Sequence, residues 1–365
     1  MIRTALTAVG LLAVVLVYAL MRWSARRARG GIPHEDPVRP NGPIASFAAQ
    51  DWLVAAYMLV FWVLVALGTG PRRPALVWIS LDVVAFFGAL VIARAPTTPR
   101  LIADVVYRIA LPGAIASTFS QLHVLLPSVR AATYDGALYR FDKAVFGFEP
   151  AEAWDPYVSP GTTEWFSFYY YLYFAILLVH VLPMAIVERR MHVLREFSWG
   201  IFFVFCAGHL IYLGVPGYGP YRHLGATFTH ALDGPTFWPL VSRTVASFDG
   251  AHRTDIFPSL HTAAPTFLTL FSYRHRRELP FRYTWPVLAF VTANIIVATM
   301  FLRWHYLIDV CAGLALATTA FAGACRIPAA DDAARARGGL PPIWRPLVDR
   351  RSRRDTPEPA ARRRR

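Results

Sequence analysis

The sequence predicts an all-α protein, a polytopic membrane helix bundle, on three observations. Hydrophobic residues make up 55% of the chain and charged ones only 16%, against about 25% charged in a typical soluble domain. Apolar runs of about twenty residues, the length that crosses a bilayer as a helix, recur along most of the chain. Arginine collects in the short segments between them, the bias that marks the cytoplasmic side. Together these exclude a disordered chain, a coiled coil and a disulfide-stapled scaffold. Cys206, Cys311 and Cys325 lie in apolar runs without CxxC spacing, so neither a disulfide framework nor a cysteine metal site is expected.

Nine runs read as spans. The first, 3–21, is followed by Arg22, Arg26 and Arg27 where the small residues of a signal-peptide cleavage site belong, so it reads as an uncleaved span. Runs 51–69 and 75–93 follow. Run 101–126 is the weakest, because Asp104, Arg108 and His123 interrupt it and its first half suits an interfacial helix. Counting it as a crossing places the Arg22–Arg29 cluster, the 188–197 and 274–283 loops and the C-terminal tail together in the cytoplasm. Omitting it puts the first cluster outside. Runs 164–187, 198–215, 259–273, 284–302 and 305–325 complete the set. The expected units are N-terminal spans over 1–126, a membrane domain over 127–327 and a basic disordered tail over 328–365. Residues 326–365 hold twelve Arg against five acidic residues, half of the net charge of +14. Such a tail is drawn to anionic lipid headgroups, and no nucleic-acid partner is expected.

The remaining loops, 127–163 and 216–258, fall on the outer face with three polar clusters. These are GYGPYR (217–222), FPSLH (257–261) and RWHYLID (303–309). Ionisable residues at the ends of apolar spans require a reason. His305 and Asp309 are four apart and share a helical face, so the carboxylate can fix the imidazole tautomer and raise its basicity, which suits a nucleophile. Ser259 and Pro258 suit a helix start, whose free amides favour phosphate. His261 there can act as a general acid. Arg222, Arg253 and Arg303 offer guanidinium forks for phosphate oxygens. Other readings of the same residues stay open: a structural His305–Asp309 pair, two ligands of a metal site completed by His261, a plain Ser259 cap, and a snorkelling Arg303.

FPSLHTA followed about forty residues later by WHYLIDVCAG resembles the second and third signature motifs of the type 2 phosphatidic acid phosphatase superfamily. PSLH in place of PSGH is similar to its inositolphosphotransferase branch, which includes inositol phosphorylceramide synthase. FDKAVFGFEPAEAW (141–154) looks like that branch's pre-core segment, and VPGYGPYR (215–222) occupies the place of its first motif. The resemblance covers about 135–325.

It implies a six-helix core with extra N-terminal spans and a metal-free, cofactor-free histidine phosphotransfer. By motif position His305 is the nucleophile, Asp309 its orienting partner, His261 the acid for the leaving group and Ser259 a phosphate ligand. The arginine that the superfamily commonly places six residues before the nucleophile is Thr299 here, which leaves Arg303, Arg222 and Arg253 as the candidate clamps. The expected substrate is a phospholipid or sphingolipid phosphoester at the outer face, with an alcohol (transferase) or water (phosphatase) as acceptor. High Ala and Arg usage suits a bacterial plasma membrane. The alternative from another class is a transporter or channel with the same His, Asp and Arg residues along its path.

Overall fold

Every apolar run from residue 51 onward folds as a helix in the computed structural model, which describes residues 46–249 and 254–347; run 3–21 lies outside them. The N-terminal layer is α1 (Ala49–Leu67), α2 (Arg72–Arg94) and α3 (Arg100–Ser120), the last continued by α4 (Leu122–Val129). Two short helices follow, α5 (Asp135–Val145) and α6 (Pro150–Ala153), and then the long pair α7 (Pro160–Ile186) and α8 (Met191–Gly214). The second long loop carries α9 (Pro220–His223) and α10 (Phe237–Asp249). Helices α11 (Leu260–Arg274), α12 (Phe281–Phe301), α13 (Leu307–Ala324) and α14 (Ile327–Arg337) close the chain. Among the described residues there is no strand. Among the described residues seven helical segments, α14 joined to α13, are long and apolar enough to cross a membrane; α11, which the sequence reads as the span 259–273, is only 15 residues long and is not one of them. The protein is an integral, multi-pass membrane helix bundle.

The charged run that was weakest by sequence forms the full-length α3. Its Arg108 donates from Nε to the carbonyl of Ala185 at 2.8 Å and from a terminal nitrogen to that of Arg345 at 2.6 Å. Buried Asp51 at the start of α1 pairs with Arg94 at the end of α2 and accepts from Tyr107 Oη at 2.8 Å. These contacts gather the starts of α1 and α3 and the ends of α2 and α7 at one end of the bundle, the far end from the three motif clusters.

Helix α11 is the centre of the core. It packs against α7, α8, α12 and α13, and Ala263, Ala264, Phe267 and Leu268 are fully buried. Between membrane helices the hydrophobic drive is weak, so small residues that allow close approach matter most. Gly313 on α13 is such a site: a Cβ there would sit 2.6 Å from the carbonyl oxygen of Ser259. Helix α1 docks on α8, where Tyr57 Oη lies 3.0 Å from His209 Nδ1. Helix α2 is outermost and turns Val77, Trp78, Leu81, Val84 and Phe87 outward, as a lipid-facing helix does.

The tail departs from the expectation of disorder. Residues 327–337 form α14, which packs on α8 and α1. Arg335 donates to the carbonyls of Ser46 (2.7 Å) and Pro341 (3.0 Å), Asp332 pairs with Arg195, and Trp344 is buried. The charged residues that make this stretch look solvated are its attachment points. Residues 348–365 lie outside those described.

Candidate active site

His305 sits in the short link between α12 and α13, and Asp309 lies in the first turn of α13. Asp309 Oδ2 accepts the Tyr306 amide at 2.9 Å, closing the helix start as the third residue of a capping arrangement does. The same oxygen is 3.3 Å from His305 Nδ1, so one carboxylate both starts the helix and faces the imidazole. Burial pulls the His305 pKa down to about 4, against the opposing pull of Asp255 and the Ile256 backbone. At neutral pH the ring is therefore uncharged.

The N-terminus of α11 is set directly against this turn. The Ser259 amide donates to the Asp309 carbonyl at 3.0 Å, and Ser259 Oγ caps α11 by accepting the Thr262 amide at 3.3 Å. His261 follows in the first turn. Its ring stacks on Tyr170 at 4.4 Å between centroids, lies 4.0 Å from Tyr173, and is 6.4 Å from the ring of His305. Both histidines line one cavity of about 950 Å³. Its mouth is formed by Tyr218, Tyr221 and Arg222, and it continues between α7, α8 and α3 toward the far end.

Acidic residues of the loop 127–163 brace the site, and sequence reasoning passed over them. Asp135 and Asp142, seven apart on one face of α5, are both buried. Asp135 accepts the amides of Tyr218 and Gly219, each at 2.9 Å, and the Tyr306 hydroxyl at 3.3 Å. Asp142 accepts the amides of Leu307 (2.7 Å) and Ile308 (3.1 Å) at the start of α13. Glu149 lies beside it; burial, then the Asp142 charge, push its pKa up to about 8 against the Ala151 amide. Burial beside Asp142 therefore favours its neutral form. Gly219 supplies a φ of 88°, and a Cβ there would meet the Trp304 carbonyl oxygen at 2.4 Å. Only glycine lets the GYGPYR loop press onto the α12–α13 turn. The signal for this brace was the D-x6-D spacing of 135–142.

The three candidate clamp arginines separate. Arg222 is exposed at the cavity mouth, its guanidinium 4.0 Å from the centre of the Tyr218 ring. Arg303 is buried and turned away: it pairs with Asp155 at 2.8 Å, donates to the His230 carbonyl at 2.6 Å and lies 3.9 Å from the centre of the Phe228 ring. Burial alone raises the Asp155 pKa, but hydrogen bonds from Thr229 and His230 outweigh it and hold the carboxyl at about 2. Arg253 lies outside the described residues. Thr299 is buried, and its carbonyl accepts the amides of Trp304 and His305.

A metal reading needs His261, His305 and Asp309 to converge on one point. Among the described residues, the three ligand-type side chains that do converge are His192, His275 and Glu278, within 4.8 Å of one another at the first turn of α8 and the loop after α11. There Glu278 is already paired with Arg190 at 2.7 Å.

Two histidines on adjacent helix starts, one oriented by a carboxylate and both facing a deep cavity, form an arrangement suited to moving a phosphoryl-type group. The family model of the PAP2 superfamily matches residues 136–323. No curated protein and no solved structure matches the chain. The matched region holds both histidines, Asp309, Ser259 and the Asp142 brace, and the chain belongs to the PAP2 superfamily, whose members are phosphatases and phosphotransferases.

Proposed function

We propose that this protein is a membrane phosphotransferase or phosphatase that cleaves a lipid phosphoester through a phosphohistidine, in the manner of the inositolphosphotransferases. The observation that carries the reading is the His305 Nδ1–Asp309 Oδ2 approach of 3.3 Å beside His261, at the head of a 950 Å³ cavity. With Nδ1 turned to the carboxylate, Nε2 of the neutral His305 attacks phosphorus. The bond from phosphorus to the lipid oxygen breaks, and His261 gives its proton to the departing alkoxide. In the second half His261 takes a proton from water or an alcohol, the resulting oxygen bonds to phosphorus, and the phosphorus–nitrogen bond breaks. Arg222 at the mouth and the Ser259 helix start hold the phosphate oxygens. Asp309 orients the nucleophile and stabilises its positive charge.

The domain carrying this chemistry spans 127–327. The motif-bearing end faces outward and the α14-bearing end the cytoplasm of a bacterial plasma membrane, as the arginine distribution favours. A phospholipid with labelled phosphorus, quenched during turnover, tests the reading. Wild type is expected to carry an acid-labile, base-stable label that His305→Ala lacks. Normal turnover by His305→Ala sinks the assignment. Inositol or another alcohol, added during turnover, separates the acceptors: a new lipid with less free phosphate marks a transferase.

A further inference from the structure

We infer that the cavity below the two histidines is a chamber for the hydrocarbon chain of the substrate, and that segments outside the family match, α3 and the stretch around Trp344, form its wall and floor and set the chain it accepts. This rests on the lipid-phosphoester reading above.

The polar lining of the cavity is richest near its mouth; deeper in, Ser198 and Arg108 stand among apolar side chains. Along α7 it is lined by Tyr170, Phe174, Leu177, Val181 and Met184, spaced as one helical face. From Tyr170 to Ala185 this face runs about 22 Å at the helical rise, most of the ~30 Å hydrocarbon thickness of a bilayer. Its volume, about 950 Å³, is at the upper end for small-molecule sites. A phosphate held between Arg222 and the histidines therefore has a largely apolar shaft beneath it for a hydrocarbon chain.

Helix α3 supplies the opposite wall through Pro112, Ile115, Ala116 and Phe119. It hardly touches α7 along its length, and the cavity occupies the gap. What joins the two helices is Arg108, which bonds the Ala185 carbonyl on α7 and the Arg345 carbonyl below. Trp344 lies under this clasp, 5.4 Å from the guanidinium to its ring centre and 5.1 Å from Tyr107 between ring centres. The family match begins at 136 and ends at 323, so neither the wall nor the floor belongs to it. A chain inside the shaft gains little over the same chain in lipid, which is equally apolar. The chamber therefore selects by length and shape rather than by affinity.

The test compares phosphatidic acids of graded chain length in wild type, Ala116→Trp and Trp344→Ala, with a diazirine-tipped phosphatidic acid as a crosslinking probe. Ala116→Trp fills the shaft from the wall and is expected to lower kcat/KM for the longest chain at least about 10-fold relative to the shortest. Trp344→Ala lowers the floor and is expected to shift the preference toward longer chains. The probe is expected to label α3, α7 or Trp344. Equal effects on every chain length, or labels confined to the outward face of α2, overturn the chamber. Labels in the shaft from a protein that turns over no phosphoester leave the chamber standing and overturn the catalytic reading instead.

Discussion

Arg303 and Asp155, 148 positions apart in the chain, form a buried ion pair of 2.8 Å at the motif-bearing end of the bundle. Arg303 holds a left-handed φ of 66°, a conformation that costs a non-glycine residue about 1–3 kcal/mol. Its carbonyl accepts the Tyr221 amide at 2.6 Å. The guanidinium thus pins the α12–α13 turn to both long loops. Arg303→Gln is expected to destabilise the protein by about 3–5 kcal/mol, as removal of one member of a buried pair does. Thermal unfolding in detergent measures it, and Asp155→Asn in the same chain should recover part of the loss. Unchanged stability with lost phosphate affinity would restore Arg303 as a clamp.

The acid limb of the activity profile should be displaced. An ordinary imidazole gains its proton near pH 6.5, whereas burial holds His305 to about 4. Activity is expected to persist as pH falls through 6.5 and to be lost toward 4. Asp309→Asn removes the orienting charge and should lower kcat by about 10⁴-fold, with KM nearly unchanged. Initial rates across pH in both proteins decide this.

His261→Ala should be selective for the leaving group. Loss of a general acid typically costs about 10²–10⁴-fold, but a nitrophenolate leaves without a proton. The variant is expected to lose turnover of alkyl phosphoesters far more than of nitrophenyl ones. Equal losses on both would assign His261 to binding instead.

Glu149 predicts a pH-dependent stability of definite sign. Its folded pKa of about 8 exceeds the usual 4.3 of a free glutamate. The folded state therefore binds the extra proton, and stability falls as pH rises from about 4.3 to 8. Glu149→Gln keeps a neutral donor beside Asp142. Its unfolding temperature should match wild type near pH 4, exceed it increasingly up to pH 8, and run parallel above. A difference that is constant with pH would contradict the protonated carboxyl.

Seven of the spans were legible because an apolar run of bilayer length has few other structures open to it, whereas 259–273 falls short of that length as the 15-residue α11. What sequence left obscure is whatever depends on distant partners. Arg108 made the fourth run look interfacial, since the two carbonyls that satisfy it come from residues 185 and 345. Arg303 lies two positions from His305 and reads as a phosphate ligand until Asp155 is placed beside it. Asp135, Asp142 and Glu149 read as an acidic outer loop, because nothing local says that backbone amides near 218 and 307 will meet them. The stretch IPAADDAARAR reads as solvated for the same reason. The two histidine motifs were conspicuous because His, Ser and Asp at helix ends carry their chemistry within a few residues of one another.

The clasp at Arg108 also bears on biogenesis. The fourth run enters the membrane long before residue 345 is translated, so its guanidinium must wait for its last carbonyl until α4 to α14 have followed it. A product truncated before that point keeps every motif residue but leaves a charge in an apolar span short of a partner. The stretch around Trp344 is thus the late partner of an early span as well as the floor of the cavity.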